Sequence, residues 1–306
     1  MLSDNYGRII TSLRISITKK CNLNCIYCHQ EGDDIESLRE VSPGTISRTV
    51  TAAAEFGVKK VKFSGGEPLM RHDFENIIAA LPPLKDISAT TNGVLLAKRA
   101  ASLADSGLDR VNISLPSLDK ENYAKLTGSS LAFPHVLEGI RAAIDAGLTP
   151  IKLNMVLLKG INDSRIDDAI HFVSGYDGNV ILQLIELMNF KNISRYMVDI
   201  GGVEKMLESK ASCIKERQLH RRKKYFIDGV EVELVRPIDN SSFCANCNRL
   251  RLTSSGKLKP CLMRNDNLVE ISENATVQEI GEMLKRTVEK REPYYKDELK
   301  QVICRT

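Results

Sequence analysis

Six short runs with strand character recur along the first two thirds of the chain: Leu13 to Thr18, Lys60 to Ser64, Asp86 to Thr91, Arg110 to Leu115, Pro150 to Leu157 and Val180 to Leu187. Between them, Thr45 to Phe56, Asp73 to Leu81, Leu95 to Ala104, Val136 to Ala146 and Arg165 to Ser174 place apolar residues at helical spacing. Gly57, Gly107 and Gly147 close three of these segments, as left-handed helix caps require. Strands that alternate with helices and are nearly all apolar predict a parallel sheet covered on both faces. Periodicity admits a barrel or a doubly wound sheet, and in either the loops after the strands carry the chemistry at the sheet's carboxyl edge.

After Met188 the pattern changes. A helix-like stretch near Val203 to Ser209 precedes a basic run, Arg221 to Lys224, and then a hairpin of Tyr225 to Ile227 and Val230 to Val235 turning at Asp228-Gly229. A second short hairpin, Leu250 to Thr253 with Leu258 to Pro260, leads to a charged helical tail. This predicts a separate subdomain, with a boundary near residue 190 that divides residues 1–190 from residues 191–306.

At 306 residues the chain exceeds the roughly 100–200 residues of an ordinary domain, yet one α/β barrel with an appendage accounts for it. A net charge of +4, from 43 basic and 39 acidic residues, is too balanced to imply nucleic-acid binding by charge alone. Met1 to Ile10 has no apolar signal-peptide stretch, and no later segment approaches the ~18 apolar residues of a membrane span, so a cytoplasmic protein is expected. The cysteines change the picture most. Six of the eight fall into two clusters of three, and three thiols cannot pair among themselves, so metal is expected in place of disulfides.

Cys21, Cys25 and Cys28 sit in the loop straight after the first strand, close enough in sequence to wrap one small metal centre. A structural zinc wants a fourth ligand, and His29 is awkward in that role because it adjoins Cys28. An iron–sulfur cubane on three thiolates instead leaves one iron open to a chelating ligand. Ser64-Gly65-Gly66-Glu67-Pro68 follows the second strand, where paired glycines allow close backbone approach and present unhindered N–H groups. Thr90 to Gly93 and Asn112 to Ser114 put polar groups at strand ends, odd for a core and expected for a site.

Cys244, Cys247 and Cys261 form the second trio, which reads either as a zinc ribbon completed by His220 or Cys213 or as a second open cluster. Arg249 and Arg251 lie between its cysteines on one face of a strand, and paired guanidiniums beside an open metal site suit a polyphosphate.

The CxxxCxxC spacing with Tyr27 before its last cysteine, and the Gly-Gly-Glu-Pro run, resemble motifs of the radical S-adenosylmethionine superfamily. Leu13 to Ser16, Ser64 to Arg71, Thr90 to Gly93, Lys159 to Asp163, Ile185 to Met188 and Phe243 to Leu252 together resemble one family within it, the GTP 3′,8-cyclases of molybdenum cofactor biosynthesis. That resemblance implies a partial (β/α)6 TIM-type barrel closed by a carboxyl-terminal region with a second [4Fe-4S] cluster. GTP would lie between the two clusters. It implies cluster ligation by Cys21, Cys25 and Cys28 and by Cys244, Cys247 and Cys261. Contacts to S-adenosylmethionine fall to Tyr27, Gly66, Ser114 and Met188, and contacts to GTP to Arg14, Lys62, Thr90, Lys152, Arg249 and Arg251. In the family a deoxyadenosyl radical takes hydrogen from C3′ of GTP, and the ribose radical attacks C8 of guanine. An electron-donor protein and a downstream cyclic pyranopterin monophosphate synthase are the implied partners, with no membrane or nucleic acid; a homodimer is compatible with this reading.

Three features depart from the family: Gln183 where many bacterial members have arginine, Pro116 where aspartate is common, and a chain ending in Cys304-Arg305-Thr306 in place of a Gly-Gly tail. His72, His135 and His171 lack ligand spacing, Cys213 and Cys304 read as unligated thiols, and Arg221 to Lys224 reads as a solvated face. The rival readings are a peptide-modifying radical enzyme with an auxiliary cluster, and a zinc-binding nucleic-acid module.

Overall fold

The computed structural model describes residues 1–33, 39–189, 193–216, 222–238 and 241–293. His220, Arg221, Cys304 and the terminal residues lie outside the described residues. Six strands, β1 (Ser12–Ser16), β2 (Lys60–Ser64), β3 (Asp86–Thr91), β4 (Arg110–Ser114), β5 (Ile151–Leu157) and β6 (Val180–Glu186), run parallel in chain order. Their crossovers carry α1 (Pro43–Glu55), α2 (Phe74–Ala79), α3 (Ala100–Asp105), α4 (Lys120–Thr127), α5 (Ala132–Asp145) and α6 (Ile166–Ser174). This is the partial (β/α)6 barrel. Sequence periodicity did not reveal α4, which shares the β4–β5 crossover with α5.

Local signals explain the element ends. Ser42 caps α1 by accepting from the Thr45 amide at 3.2 Å, and Pro43 fits the first turn because its missing N–H has no helical partner to lose. Phe63 of β2 meets Phe74 of α2 edge to face at 5.1 Å, a contact worth about 0.5–1.5 kcal/mol beyond simple burial.

The strands are not apolar on both faces. Leu13, Ile15, Val61, Val111, Ile113 and Leu153 are buried in the core shared with the helices. The alternate residues, among them Arg14, Lys62, Ser88, Asn112 and Lys152, line a cavity on the opposite face. Period-two alternation therefore gives this parallel sheet an apolar outside and a polar inside.

The region after residue 190 contributes α7 (Ile200–Lys210), β7 (Cys213–Glu216), β8 (Lys223–Ile227), β9 (Val230–Val235), α8 (Ser241–Ala245), β10 (Arg249–Leu252), β11 (Lys257–Lys259), β12 (Val269–Glu270) and α9 (Val277–Glu289). Its strands build no sheet of their own. β9 pairs parallel with β6 and β10 parallel with β1, giving one twelve-stranded order, β12-β11-β10-β1-β2-β3-β4-β5-β6-β9-β8-β7, among the described residues. An open barrel leaves β1 and β6 with unpaired backbone groups, and these two strands satisfy them. A capping box, Thr276 with Glu279, starts α9, whose Ile280, Leu284 and Val288 form the buried stripe.

Candidate active site

The polar face of the sheet encloses one cavity of about 790 Å³ lined by both cysteine trios. The loop from β1 that bears Cys21, Cys25 and Cys28 is held from two sides. Asn24 and Ile26 donate backbone bonds to Thr127 and Leu126 at the end of α4, at 2.9 and 3.0 Å. On the other side Gly66 N–H donates to the Thr18 carbonyl and Glu67 N–H to that of Lys20, each at 2.7 Å.

A side chain at Gly65 would collide with the Thr18 carbonyl, and one at Gly66 with the carbonyls of Lys19 and Lys20. Gly65 also has a φ of 150°. The paired glycines thus serve close approach of the cysteine loop, and the Gly66 N–H is already used there instead of standing free for a ligand. Glu67 ties the loop to β3: its carboxylate accepts from Leu69 N–H at 3.0 Å, the Thr91 hydroxyl at 2.7 Å and Asn92 N–H at 2.6 Å. Burial nonetheless pushes its carboxyl up to about 7.

Asn92 in turn hydrogen-bonds Asn22 at 2.7 Å and reaches Cys21 Sγ at 3.9 Å. The Tyr27 hydroxyl is raised well above its ordinary range, first by burial and then by the neighbouring Cys25.

Register explains the charge of the cavity. Arg251, Arg14, Lys62, Ser88 and Arg110 stand opposite one another across β10, β1, β2, β3 and β4, so their inward side chains form one row. Burial and neighbouring cations, Arg14 foremost, lower the pKa of both Lys62 and Arg249 well below the usual values. Thr90, Ser114, Met188 and Gln183 line the same cavity. Among the described residues, Arg14 Nε, Arg249 Nε, Ser64 Oγ, Thr90 Oγ1 and Asn154 Oδ1 are buried without a hydrogen-bond partner. Buried polar atoms normally have one, so this wall is built for a polar ligand that accepts from arginine.

Two carboxylates that the sequence did not single out organise the cations. Glu233, fully buried on β9, takes Lys152 at 2.5 Å, Gln183 at 2.7 Å and Arg222 at 3.5 Å. Arg222 belongs to the run read as a solvated face; its side chain is instead 11% exposed and lines the cavity. Lys223 and Lys224 of that run are partly exposed, 41% and 28%, and paired with Glu208 and Glu231. Glu31, three residues after Cys28, bridges Arg14 and Arg251. Asn162 of the Lys159–Asp163 stretch is structural: its side chain binds Leu158 N–H and the Pro116 and Val156 carbonyls, each at 2.7 Å.

The second trio is gripped by residues from both ends of the described chain. Asp4 pairs with Arg8 at 2.7 Å and with Arg291 at 2.9 Å. Arg8 donates to the Cys244 carbonyl at 3.2 Å and Arg291 to the Cys247 carbonyl at 3.0 Å. Cys213 lies exposed on β7, away from the lining of the cavity, and His72, His135 and His171 are exposed.

Among the described residues no three His, Cys, Asp or Glu side chains stand close enough to hold a single metal ion. Thiolates on one zinc crowd within about 2.3 Å of it, whereas thiolates on separate irons of a cubane are held further apart. No disulfide joins the described cysteines, and the six of the two trios line the cavity, so the thiol donor sets fit clusters held by cysteine.

The Radical SAM superfamily is matched over residues 15–173 and Molybdenum Cofactor Synthesis C over residues 180–297. A protein of Methanosarcina acetivorans named probable GTP 3′,8-cyclase is 58% identical over 301 residues, covering 96% of this chain and 90% of that protein. One of the same name from Methanocella arvoryzae is 51% identical over 302 residues, covering 99% and 97%. Streptococcus suis SuiB bound to S-adenosylmethionine shares the fold with a TM-score of 0.66 at 16% identity, covering 96% of this chain and 68% of that one. Native anSMEcpe with bound AdoMet does so at 0.65 and 18%, covering 90% and 81%. Among the described residues no helix is long and apolar enough to cross a membrane.

Proposed function

We infer the work of this cavity from one premise: the chain belongs to the GTP 3′,8-cyclase family of the radical S-adenosylmethionine superfamily. It is a lyase that cyclises GTP to (8S)-3′,8-cyclo-7,8-dihydroguanosine 5′-triphosphate in molybdenum cofactor biosynthesis, using S-adenosylmethionine and two [4Fe-4S] clusters. The observation that carries the assignment of roles is the meeting of both cysteine trios and the row of cations in one cavity.

We propose that Cys21, Cys25 and Cys28 hold the first cluster, with Tyr27, Gly66, Ser114 and Met188 around S-adenosylmethionine. Bound there and reduced by one electron, these cofactors supply a carbon radical able to take a hydrogen atom from ribose. Arg14, Lys62, Thr90, Lys152, Arg249 and Arg251 are proposed to bind GTP. Guanidinium forks suit its phosphates, and the orphaned Thr90 hydroxyl and the two orphaned arginine Nε groups supply hydrogen bonds. Cys244, Cys247 and Cys261 are proposed to hold the second cluster, which orients the base. Residues 1–190 are then proposed as the radical-generating barrel and residues 191–306 as the region of the second cluster, with the contacts to GTP drawn from both sides of that boundary. Rigid placement of a ribose hydrogen against the radical, with water kept out, is the protein's own contribution. An electron-donor protein, a downstream cyclic pyranopterin monophosphate synthase and a cytoplasmic location complete the proposal.

Anaerobic incubation of reconstituted protein with GTP, S-adenosylmethionine and a reductant tests it. Both 5′-deoxyadenosine and a cyclised nucleotide are expected; deoxyadenosine alone points to a different substrate. Cys25→Ser should abolish both products, and Cys247→Ser should lose only the nucleotide. Equal loss in the two variants would undo the division of labour.

A further inference from the structure

Arg14 and Arg251 are register partners on adjacent parallel strands, so their side chains leave the sheet together and bring two like charges side by side. Glu31 lies between them. One of its oxygens is 2.6 Å from Arg251 Nη1 and the other 3.5 Å from Arg14 Nη1, with all three side chains less than one-fifth exposed. Burial pushes the Glu31 carboxyl up, and the two guanidiniums overcome this and hold it well below the usual carboxylate range.

The segment that delivers Glu31 is wound unfavourably. Gln30, Glu31 and Gly32 take φ values of 49°, 55° and 62°, left-handed conformations that non-glycine residues hold only where their surroundings fix them. Those surroundings come from the second trio's side. A side chain at Gly32 would collide with the Leu262 carbonyl, and Lys259, buried, donates to the Gly32 carbonyl. Glu31 therefore stands at the seam between the two cysteine clusters. Arg14 is incompletely engaged, since its Nε has no partner and its contact with Glu31 is the longer one.

A carboxylate bridging two guanidiniums makes the bonds that two phosphate oxygens would make. Both cannot hold the same donors at once, and a triphosphate brings more charge and more acceptor oxygens. We propose that Glu31 is an internal stand-in for a substrate phosphate: it holds Arg14 and Arg251 apart and oriented, and yields them to the triphosphate. Glu31 thereby sets specificity, because only a ligand carrying enough negative charge displaces it. This rests on GTP being the substrate.

The test is equilibrium binding of GTP, inorganic triphosphate and guanosine to anaerobically reconstituted holoprotein, for the parent, Glu31→Gln and Glu31→Asp. Removing the competing charge should tighten GTP and triphosphate about tenfold in Glu31→Gln and leave guanosine unchanged. Glu31→Asp keeps a shorter, more weakly paired carboxylate; a gain of about twofold is expected, and it serves as the test if the glutamine variant does not fold. Parent-like or weaker triphosphate binding in the variants overturns the exchange and makes Glu31 an orienting residue. Tighter triphosphate binding without GTP binding in any of the proteins would uphold the exchange while sinking GTP as substrate.

Discussion

Replacing Asp4 by alanine removes the carboxylate that joins the two arginines behind the second cysteine trio. The Asp4 side chain is fully buried, and those of Arg8 and Arg291 are 6% and 3% exposed. Without Asp4, two desolvated guanidiniums face each other. Removing one partner of a buried ion pair costs about 3–5 kcal/mol, because the remaining charge stays out of water. Arg8 keeps its bond to the Cys244 carbonyl, and Arg291 keeps those to Cys247 and Pro260. These retained bonds favour the lower figure, about 3 kcal/mol. At about 2 °C per kcal/mol, the melting midpoint should fall by roughly 6 °C in anaerobic thermal unfolding. Asp4→Asn, which keeps an acceptor but no charge, should fall by less. The network also sets the backbone at Cys244 and Cys247, so reconstituted Asp4→Ala should hold about four irons per chain where the parent holds about eight. An unchanged midpoint with full iron content would refute the reasoning; a lower midpoint with full iron would confine the network to folding.

Gly66→Ala drives a methyl group into the carbonyls of Lys19 and Lys20, so iron bound by the first trio, read by the cluster's visible absorption, should fall severalfold while helix content is retained. Arg222→Gln removes a cavity guanidinium held by Glu233; the KM for GTP should rise about tenfold, with S-adenosylmethionine cleavage in the absence of GTP unchanged. Glu31, whose carboxyl is held below the usual range, contributes stability that is present above its unfolded pKa of about 4.3 and is lost as the pH falls toward the folded value. The stability difference between parent and Glu31→Gln, from denaturant titrations at successive pH values, should therefore shrink below about pH 4; a constant difference would contradict the ion-pair origin.

The barrel was legible because its signals are local. Alternating strand and helix segments, and glycines such as Gly57 at φ 93°, mark the elements without reference to anything distant. The first trio was legible for the same reason, since all three cysteines lie on one loop. The inner face was legible only through the family resemblance, which implied Lys62 and Lys152 as GTP contacts: the strands themselves read as apolar on both faces, when polar alternation is what lines the cavity. Arg222 was misread as solvated because a basic run next to a strand carries no sign of which residue turns inward.

The sequence by itself determined which residues share a strand face and which cysteines share a loop, because spacing along a strand or loop fixes direction within a few residues. Tertiary structure alone decided the pairings that organise the site. Glu31 meets Arg251 across 220 residues, Lys152 meets Glu233 across 81, and Asp4 meets Arg291 across 287. Those meetings depend on sheet order: β10 lies beside β1 and β9 beside β6, closing both edges of the open barrel with strands from the end of the chain. Edge closure satisfies backbone groups whatever the side chains are. Which charges it brings face to face is therefore settled by register, not by any pattern visible within either segment.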